Sequence, residues 1–168
     1  MHNEALDFIS RNEDSPFFLY YASPIPHLPL QAPTKWVEYY QKKFGKEIPY
    51  TGKSYYPNKT PRATYAAMIS YLDEQVGELV EKLKEINQYE NTLIIFTSDN
   101  GPTWVDHVDY KFFNSTGKFV NSRRTMKGSV SEGGIRVPMI ASWPNKIKSG
   151  SKSNHISAFY DFFETACD

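Results

Sequence analysis

The chain has 168 residues, 40% of them hydrophobic and 15% aromatic, which fits one modest domain with a real core and argues against disorder. Its 19 Lys and Arg residues balance its 19 Asp and Glu residues, so the zero net charge gives no sign of a nucleic-acid binder or a membrane-surface binder. A single cysteine, Cys167, excludes a disulfide within the chain.

The first half of the chain combines helical periodicity with a stretch that excludes regular structure. In chain order it predicts a helix over residues 4–11, a buried strand over 17–22, a stiff extended loop over 23–33, a helix over 34–44 and a loop over 45–59. The four prolines of the 23–33 loop exclude helix and strand there. Thr34 is placed to cap the helix that follows it.

A long amphipathic helix starts at Thr60-Pro61, where a capping hydroxyl precedes a proline at the first helical position. Apolar residues recur at three- and four-residue steps as far as Ile86, which predicts a helix that packs on a sheet. Gly77 within it predicts close backbone packing. The remaining predictions are a buried strand from Thr92 to Asp99, a long loop over 102–132, a strand over 137–143, a basic loop over 146–154 and a helix over 155–167.

The alternation of strands and helices places the chain in the α/β class. Three predicted strands are few for a doubly wound sheet, and both ends of the chain look cut, so we expect a fragment of a longer protein. The first residues are polar and acidic, unlike a signal peptide. No apolar run in the sequence is long enough to span a bilayer.

The most informative motif is Asp99-Asn100-Gly101, which follows an apolar run directly. Ligands collect at the carboxyl ends of parallel strands in open α/β sheets. A carboxylate beside an amide oxygen suits a hard cation such as Ca²⁺ or Mg²⁺, and the glycine permits a sharp turn behind them. An ordinary Asx-Gly turn is an alternative of equal weight at this point.

Two further polar residues lie near predicted strand ends. His27 follows the first strand, and Lys127 precedes the segment that leads into the third. If the strands are parallel, His27 shares a sheet edge with Asp99 and Asn100, whereas Lys127 needs the intervening loop to reach it. Metal ligands, a cation and a proton donor together suit transfer of a sulfuryl or phosphoryl group. Taken singly, His27 also fits a surface loop residue and Lys127 a solvated lysine.

Other residues carry weaker signals. Asp106 and His107 are candidates for the lining of a substrate pocket, with a solvated loop as the alternative. Tyrosines between Tyr50 and Tyr56 are candidates for stacking on sugars, although exposed loop tyrosines are common. Glu132 and Arg136 are expected to form a structural pair that holds the Gly-Gly turn. His155 is expected to open the last helix or to pack on it.

The chain resembles the formylglycine-dependent sulfatases of the arylsulfatase type, which belong to the alkaline-phosphatase-like superfamily. The matching segments occur in the family's order and cover nearly the whole chain. They are residues 16–23, 26–30, 65–73, 76–77, 92–101, 127–128, 132–138 and 143–144.

The resemblance implies a mostly parallel sheet flanked by helices, incomplete in this chain. It also implies that Asp99 and Asn100 are two ligands of a Ca²⁺ ion, with Mg²⁺ possible, and that Lys127 contacts the sulfate group. His27 is similar to the histidine that binds the sulfate ester and helps to protonate the leaving oxygen. We therefore expect His27 and Lys127 to be both catalytic and substrate-binding, and a sulfated carbohydrate to be the partner. His107, from its place in the loop, is the third expected substrate-binding residue.

The sequence departs from the family at the nucleophile. Sulfatases make formylglycine from the Cys or Ser of a Cys-x-Pro-x-Arg type motif, which this sequence lacks, and Cys167 is followed directly by Asp168. Residues 1–168 therefore resemble the middle of a catalytic domain, without the nucleophile segment and the C-terminal region. We expect this chain alone to bind metal weakly and to turn over no substrate.

Three functions stay open. The first is hydrolysis of sulfate monoesters on a carbohydrate by the full-length parent; the second is a phosphonate or phosphodiester hydrolase of the same superfamily; the third is a non-catalytic domain that binds sulfated glycan. Selectivity is expected in the loops 46–59 and 104–124. The resemblance further implies that the parent is exported, to the periplasm, the extracellular space or the lysosome. The oligomeric state is left open.

Overall fold

The computed structural model describes residues 1–119, 122 and 124–167. Its α-helices are α1 (His2–Arg11), α2 (Thr34–Phe44), α3 (Pro61–Glu85), α4 (Glu132–Ile135) and α5 (Phe162–Cys167), and its strands are β1 (Ile94–Thr97) and β2 (Met139–Ser142). Single 3₁₀ turns lie at Tyr89–Asn91, Asp106–Val108 and Phe159–Asp161. The mixture of helices and strands confirms the α/β class.

The two strands form one antiparallel pair, in which Ile94 lies opposite Ser142 and Thr97 opposite Met139. The expectation of parallel strands is therefore wrong for this pair. Strand direction depends on the route of the connection, and alternation of apolar residues carries no information about it. The antiparallel order places the end of β1 beside the start of β2, which matters for the site.

Residues 17–22, the first predicted strand, have no regular secondary structure and belong to no sheet among the described residues. Their side chains alternate in exposure, with Phe18 and Tyr20 70% and 80% exposed, so the prediction of a fully buried strand is wrong. The less exposed side chains of this segment contact helices instead. Phe17 packs edge-on against Phe8 of α1, and the Tyr21 hydroxyl donates to Gln75 of α3 at 3.2 Å.

Helix α3 packs against α1 and α2, and not against β1 or β2 in the described part of the chain. Small residues, including Ala63, Ala66 and Ala67, let its first turns approach closely and are fully or almost fully buried. The expectation that α3 packs on a sheet is thus not met here. Gly77 is exposed, and no atom lies within 4 Å of the position of an added Cβ, so close packing at Gly77 was also a wrong prediction.

The start of α3 is stabilised from outside the helix. Thr60 makes no capping hydrogen bond through its side chain. Glu47 takes over this role, since its carboxylate accepts the backbone N–H groups of Arg62 at 2.5 Å and Ala63 at 3.2 Å. The negative charge also suits the positive end of the helix dipole.

The C-terminal helix is shorter than predicted. Residues 151–158 are without regular structure, and α5 begins only at Phe162 after the 3₁₀ turn. His155 lies seven residues before α5 and is exposed, so it neither opens the helix nor packs against it as a buried residue. Ser and Asn dominate the residues before His155, and such residues favour local backbone hydrogen bonds over helix. One such bond joins the His155 N–H to the Ser153 hydroxyl at 3.1 Å.

Candidate active site

The site forms where β1 ends and β2 begins. The Thr97 hydroxyl donates to the Pro138 carbonyl oxygen at 3.0 Å, directly outside the last pair of the ladder. The Asp99-Asn100-Gly101 turn therefore emerges beside the segment that runs from Lys127 to Pro138. From the sequence, the intervening loop was expected to bring the Lys127 segment to this edge of the sheet. In the structure the antiparallel pairing of β1 and β2 places the two segments side by side.

Three glycines join these segments backbone to backbone. The Gly101 N–H donates to the Gly134 carbonyl oxygen at 2.8 Å. A Cβ on Gly101 would overlap the carbonyl of Gly133, and a Cβ on Gly134 would overlap Ser129. Only glycine fits such an approach. The contact holds the Asp99-Asn100 turn against the one-turn helix α4.

Asp99 and Asn100 differ in exposure. The Asp99 side chain is exposed, and within the described residues it forms no hydrogen bond or ion pair. Asn100 is half-buried, and its side-chain N–H donates to the Gly101 carbonyl oxygen at 3.0 Å, which leaves the amide oxygen to other partners. Asn100 also lines a cavity of about 370 Å³, whose wall includes Gly101 and Arg136.

These two residues fit part of a hard-cation site. One carboxylate and one amide oxygen are ligand types that Ca²⁺ and Mg²⁺ prefer, but Ca²⁺ takes six to eight oxygens. Among the described residues no group of three His, Cys, Asp or Glu side chains is arranged to hold a metal ion. Further ligands would therefore have to come from elsewhere.

Lys127 is fixed through its backbone. Its N–H donates to the Pro102 carbonyl oxygen at 3.0 Å, and its own carbonyl oxygen accepts the indole N–H of Trp104 at 3.1 Å. Both partners follow the Asp99-Asn100-Gly101 turn in sequence. Lys127 is half-buried, and its backbone is bonded to two residues that lie one and three positions after Gly101.

His27 occupies an exposed position in the proline-rich loop. Its Nδ1 lies 2.9 Å from the Leu28 carbonyl oxygen, and because a carbonyl only accepts, Nδ1 carries the proton. Nε2 is then the ring atom left for a ligand. Within the described residues, no hydrogen bond or ion pair joins His27 to Lys127, Asp99 or Asn100.

An apolar cluster nevertheless joins the loop of His27 to the segment that follows the Asp99-Asn100 turn. Leu30, Met68 and Val108 form its buried centre, with Leu28 and Val105 packed against it. The proline-rich loop is thereby anchored on α3 and on residues 105–108. The cluster brings together three elements that carry, or directly adjoin, the predicted site residues.

His107 is buried and does not belong to a solvated loop. Its ring stacks on that of Tyr50, with centroids 4.0 Å apart and planes 22° from parallel. Tyr50 in turn pairs with Asn58 through two backbone hydrogen bonds of 2.8 and 2.9 Å. The two loops predicted to set selectivity therefore touch each other; residues 120, 121 and 123 of the second loop lie outside the described residues.

Two ion pairs lie close to the residues described above. Glu132 and Arg136 form the expected structural pair at 2.6 Å, with both side chains exposed. Arg62 and Asp109 form a second pair at 2.6 Å that the sequence analysis missed. The two residues are 47 positions apart, so no local pattern could reveal the contact.

Comparison with known proteins decides the family. A model of the family described as Sulfatase matches residues 1–168, which is the whole chain. The chain belongs to the sulfatase family. This confirms the resemblance drawn from the motifs and, with it, the sulfatase fold.

Individual relatives agree. The chain is 32% identical over 165 residues to N-acetylgalactosamine-6-sulfatase of Canis lupus familiaris, covering 97% of this sulfatase chain and 27% of the relative. It is 33% identical over 168 residues to the sulfatase YdeN of Escherichia coli strain K12, covering 99% of the chain and 26% of YdeN. The chain thus spans about a quarter of the length of these relatives.

A solved structure shares the fold. The crystal structure of Ps i-CgsB in complex with k-i-k-neocarrahexaose is similar with a TM-score of 0.65 and 36% identity. The match covers 89% of this sulfatase chain and 28% of the solved one.

Within the described residues, none of the helices combines the length and apolar character needed to cross a membrane.

Proposed function

We propose that the protein containing this chain hydrolyses sulfate monoesters, with a sulfated carbohydrate as substrate. The observation that supports this most strongly is the backbone contact of the Asp99-Asn100-Gly101 turn with the 127–138 segment, because both carry motifs of the sulfatase family. The names of the relatives support the reaction type, and the neocarrahexaose bound to Ps i-CgsB supports a carbohydrate.

In this proposal Lys127 and His27 act on the sulfate ester. The Lys127 ammonium places positive charge beside the sulfuryl oxygens, where negative charge is concentrated in the transition state. The Leu28 carbonyl accepts from Nδ1–H of His27, so Nε2 is the ring atom left to face the ester, and with the ring in its imidazolium form Nε2–H would donate a proton to the leaving oxygen. His107 supports the substrate pocket through its stack on Tyr50.

Asp99 and Asn100 would supply two oxygen ligands to a Ca²⁺ ion, with Mg²⁺ as the alternative. A cation bound there would neutralise charge on the sulfate oxygens. Residues 1–168 contain no complete Cys-x-Pro-x-Arg or Ser-x-Pro-x-Arg motif, so in this proposal the formylglycine nucleophile comes from another part of the full-length protein. We also propose that the full-length protein is exported, on the family resemblance alone.

The test is sulfate release by the full-length protein from a disaccharide carrying 6-sulfated N-acetylgalactosamine, with a phosphodiester as the competing substrate. Lys127→Met is expected to lower kcat by roughly 10²- to 10³-fold, as for loss of one preorganised charge partner. Lys148→Met removes an exposed lysine from the loop after β2 and serves as the matched control.

Three results would count against the proposal: equal activity of Lys127→Met and wild type, preferential cleavage of the phosphodiester, or binding of the sulfated sugar with no turnover. The second result supports the phosphodiesterase alternative. The third supports a glycan-binding domain without catalysis.

A further inference from the structure

A second cleft lies between the selectivity loops, which we call the tyrosine cleft. It encloses about 270 Å³, and the residues of its wall used here are Ile48, Tyr50, Arg62, His107 and Asp109. We infer that the tyrosine cleft binds an uncharged pyranose ring of the glycan, one that does not carry the reacting sulfate. This inference rests on the proposed function, whose substrate it makes more specific.

The cleft has an aromatic wall of the kind that sugar rings contact. Tyr50, His107 and Ile48 belong to this wall, and the Tyr50 ring is backed by the His107 ring stacked on it. Small-molecule sites combine such apolar walls with a few placed polar groups. A pyranose suits both parts, since its C–H face packs on an aromatic ring while its hydroxyls point to the side.

The aromatic wall is held rigid before any ligand arrives. The Tyr50 phenol oxygen accepts backbone N–H groups from Lys53 at 2.9 Å, Ser54 at 2.9 Å and Tyr55 at 3.3 Å. The Tyr50–Asn58 bridge closes the loop around this ring. A fixed wall lowers the conformational entropy that binding would otherwise cost.

The two charged side chains in the wall of the cleft, Arg62 and Asp109, form a neutral pair. Arg62 Nε and Nη2 both donate to one carboxylate oxygen of Asp109, at 2.7 and 2.6 Å. The other oxygen accepts the N–H of Phe112 at 3.1 Å. A neutral pair offers donors and acceptors side by side to neighbouring hydroxyls, whereas a sulfate would require an uncompensated cation.

The position of the cleft fits a ring adjacent to the sulfated one. The segment from Trp104 to Asp109 connects them, because the Trp104 indole binds the Lys127 carbonyl and His107 and Asp109 line the cleft. Val105 and Val108 of the same segment pack in the cluster that anchors the His27 loop. An oligosaccharide along this segment would reach both places.

The test measures binding of a desulfated carrageenan-type tetrasaccharide, which is neutral, to the full-length protein by titration calorimetry or NMR. Wild type is expected to bind in the millimolar range with little dependence on salt. Arg62→Met should weaken binding at least tenfold. Lys35→Met, which breaks an ion pair with Glu74 between α2 and α3, should leave it unchanged.

Asp109→Asn provides a second variant that keeps the fold. Asp109 has φ 50°, a left-handed conformation that Asn tolerates well, and the amide oxygen can still accept from Phe112. Because this change leaves Arg62 without its carboxylate, the tyrosine cleft becomes positive. Binding of the neutral tetrasaccharide should fall several-fold, while that of its sulfated form should rise and become salt-dependent.

Lys127→Met separates the two proposals, since it should not affect binding of the neutral probe whatever it does to sulfate release. The inference is overturned if wild type does not bind the neutral tetrasaccharide or if Arg62→Met binds it as tightly as wild type does. It is also overturned if Lys35→Met loses as much affinity as Arg62→Met. Retained helical circular dichroism in each variant shows that folding is not the cause.

Discussion

At the scale of single residues, Tyr50 has the most unusual chemistry in the chain. Hydrogen bonds to its phenol oxygen from the Ser54 hydroxyl and from the backbone N–H groups of Ser54, Tyr55 and Lys53 lower the pKa of Tyr50 to about 8. These donors favour the phenolate. The hydrogen bonds that hold the loop around Tyr50 are therefore also the ones that lower its pKa.

We expect Tyr50 to ionise near pH 8, visible as phenolate absorbance in the near ultraviolet. Its folded pKa is depressed from 10, so ionisation adds to the free energy of unfolding, fully above pH 10 and not at all once pH falls well below 8. Tyr50→Phe should abolish both effects. Tyr56→Phe, at an exposed position of the same loop, should preserve them; the opposite pattern would assign the titration elsewhere.

The residue scale also shows what sequence reasoning can find. Asp99, Asn100 and Lys127 were identified because family motifs are local in sequence. Arg62 and Glu47 were missed because their partners lie 47 and 15 positions away. Contacts at such separation depend on how helices and loops pack, and no short pattern encodes them.

At the scale of elements, the turn after β1 depends on glycines that admit no side chain. Gly101 is buried against the backbone of Gly133 and Gly134. By contrast, Gly77 lies on an exposed face of α3 with open space where a Cβ would be. Both glycines match the family pattern, yet only the first is required by packing.

Gly101→Ala should lower the free energy of unfolding by about 3 kcal/mol, the upper end of the usual cost of overpacking, because rigid backbone blocks the new methyl group. Gly77→Ala should raise it by about 1 kcal/mol through helix propensity. Urea unfolding of the two variants measures the difference. Equal effects would show that the close approach at Gly101 does not exist in solution.

At the scale of the whole molecule, the two-stranded sheet is incompletely covered. Ile95, Phe96, Met139 and Ile140 are between 37% and 61% exposed. A pair of strands is marginally stable by itself, and each strand leaves one edge unpaired among the described residues. The chain spans about a quarter of its relatives, so we expect this face to be covered in a full-length sulfatase.

The isolated chain should therefore self-associate through its sheet. Ile140→Lys should shift sedimentation velocity profiles towards monomer and reduce binding of an apolar dye, because charge opposes stacking of apolar faces. Val130→Lys changes a residue that is 89% exposed in a loop and should have no such effect. A wild-type chain that sediments as a monomer at all concentrations would contradict the prediction.

Helices α1, α2 and α3 could be predicted from local signals, because 3.6-residue periodicity and helix starts are encoded within short segments; the predicted bounds agree with the structure within two residues. Local motifs were likewise enough to identify the family and the candidate residues Asp99, Asn100, Lys127 and His27. The antiparallel direction of β1 and β2, the absence of residues 17–22 from any described sheet and the contact of Tyr50 with His107 are evident from the folded chain alone. Strand direction and contacts between loops depend on packing between residues far apart in sequence. The hydrophobic pattern of a segment carries no information about that packing, which depends on the path of the backbone.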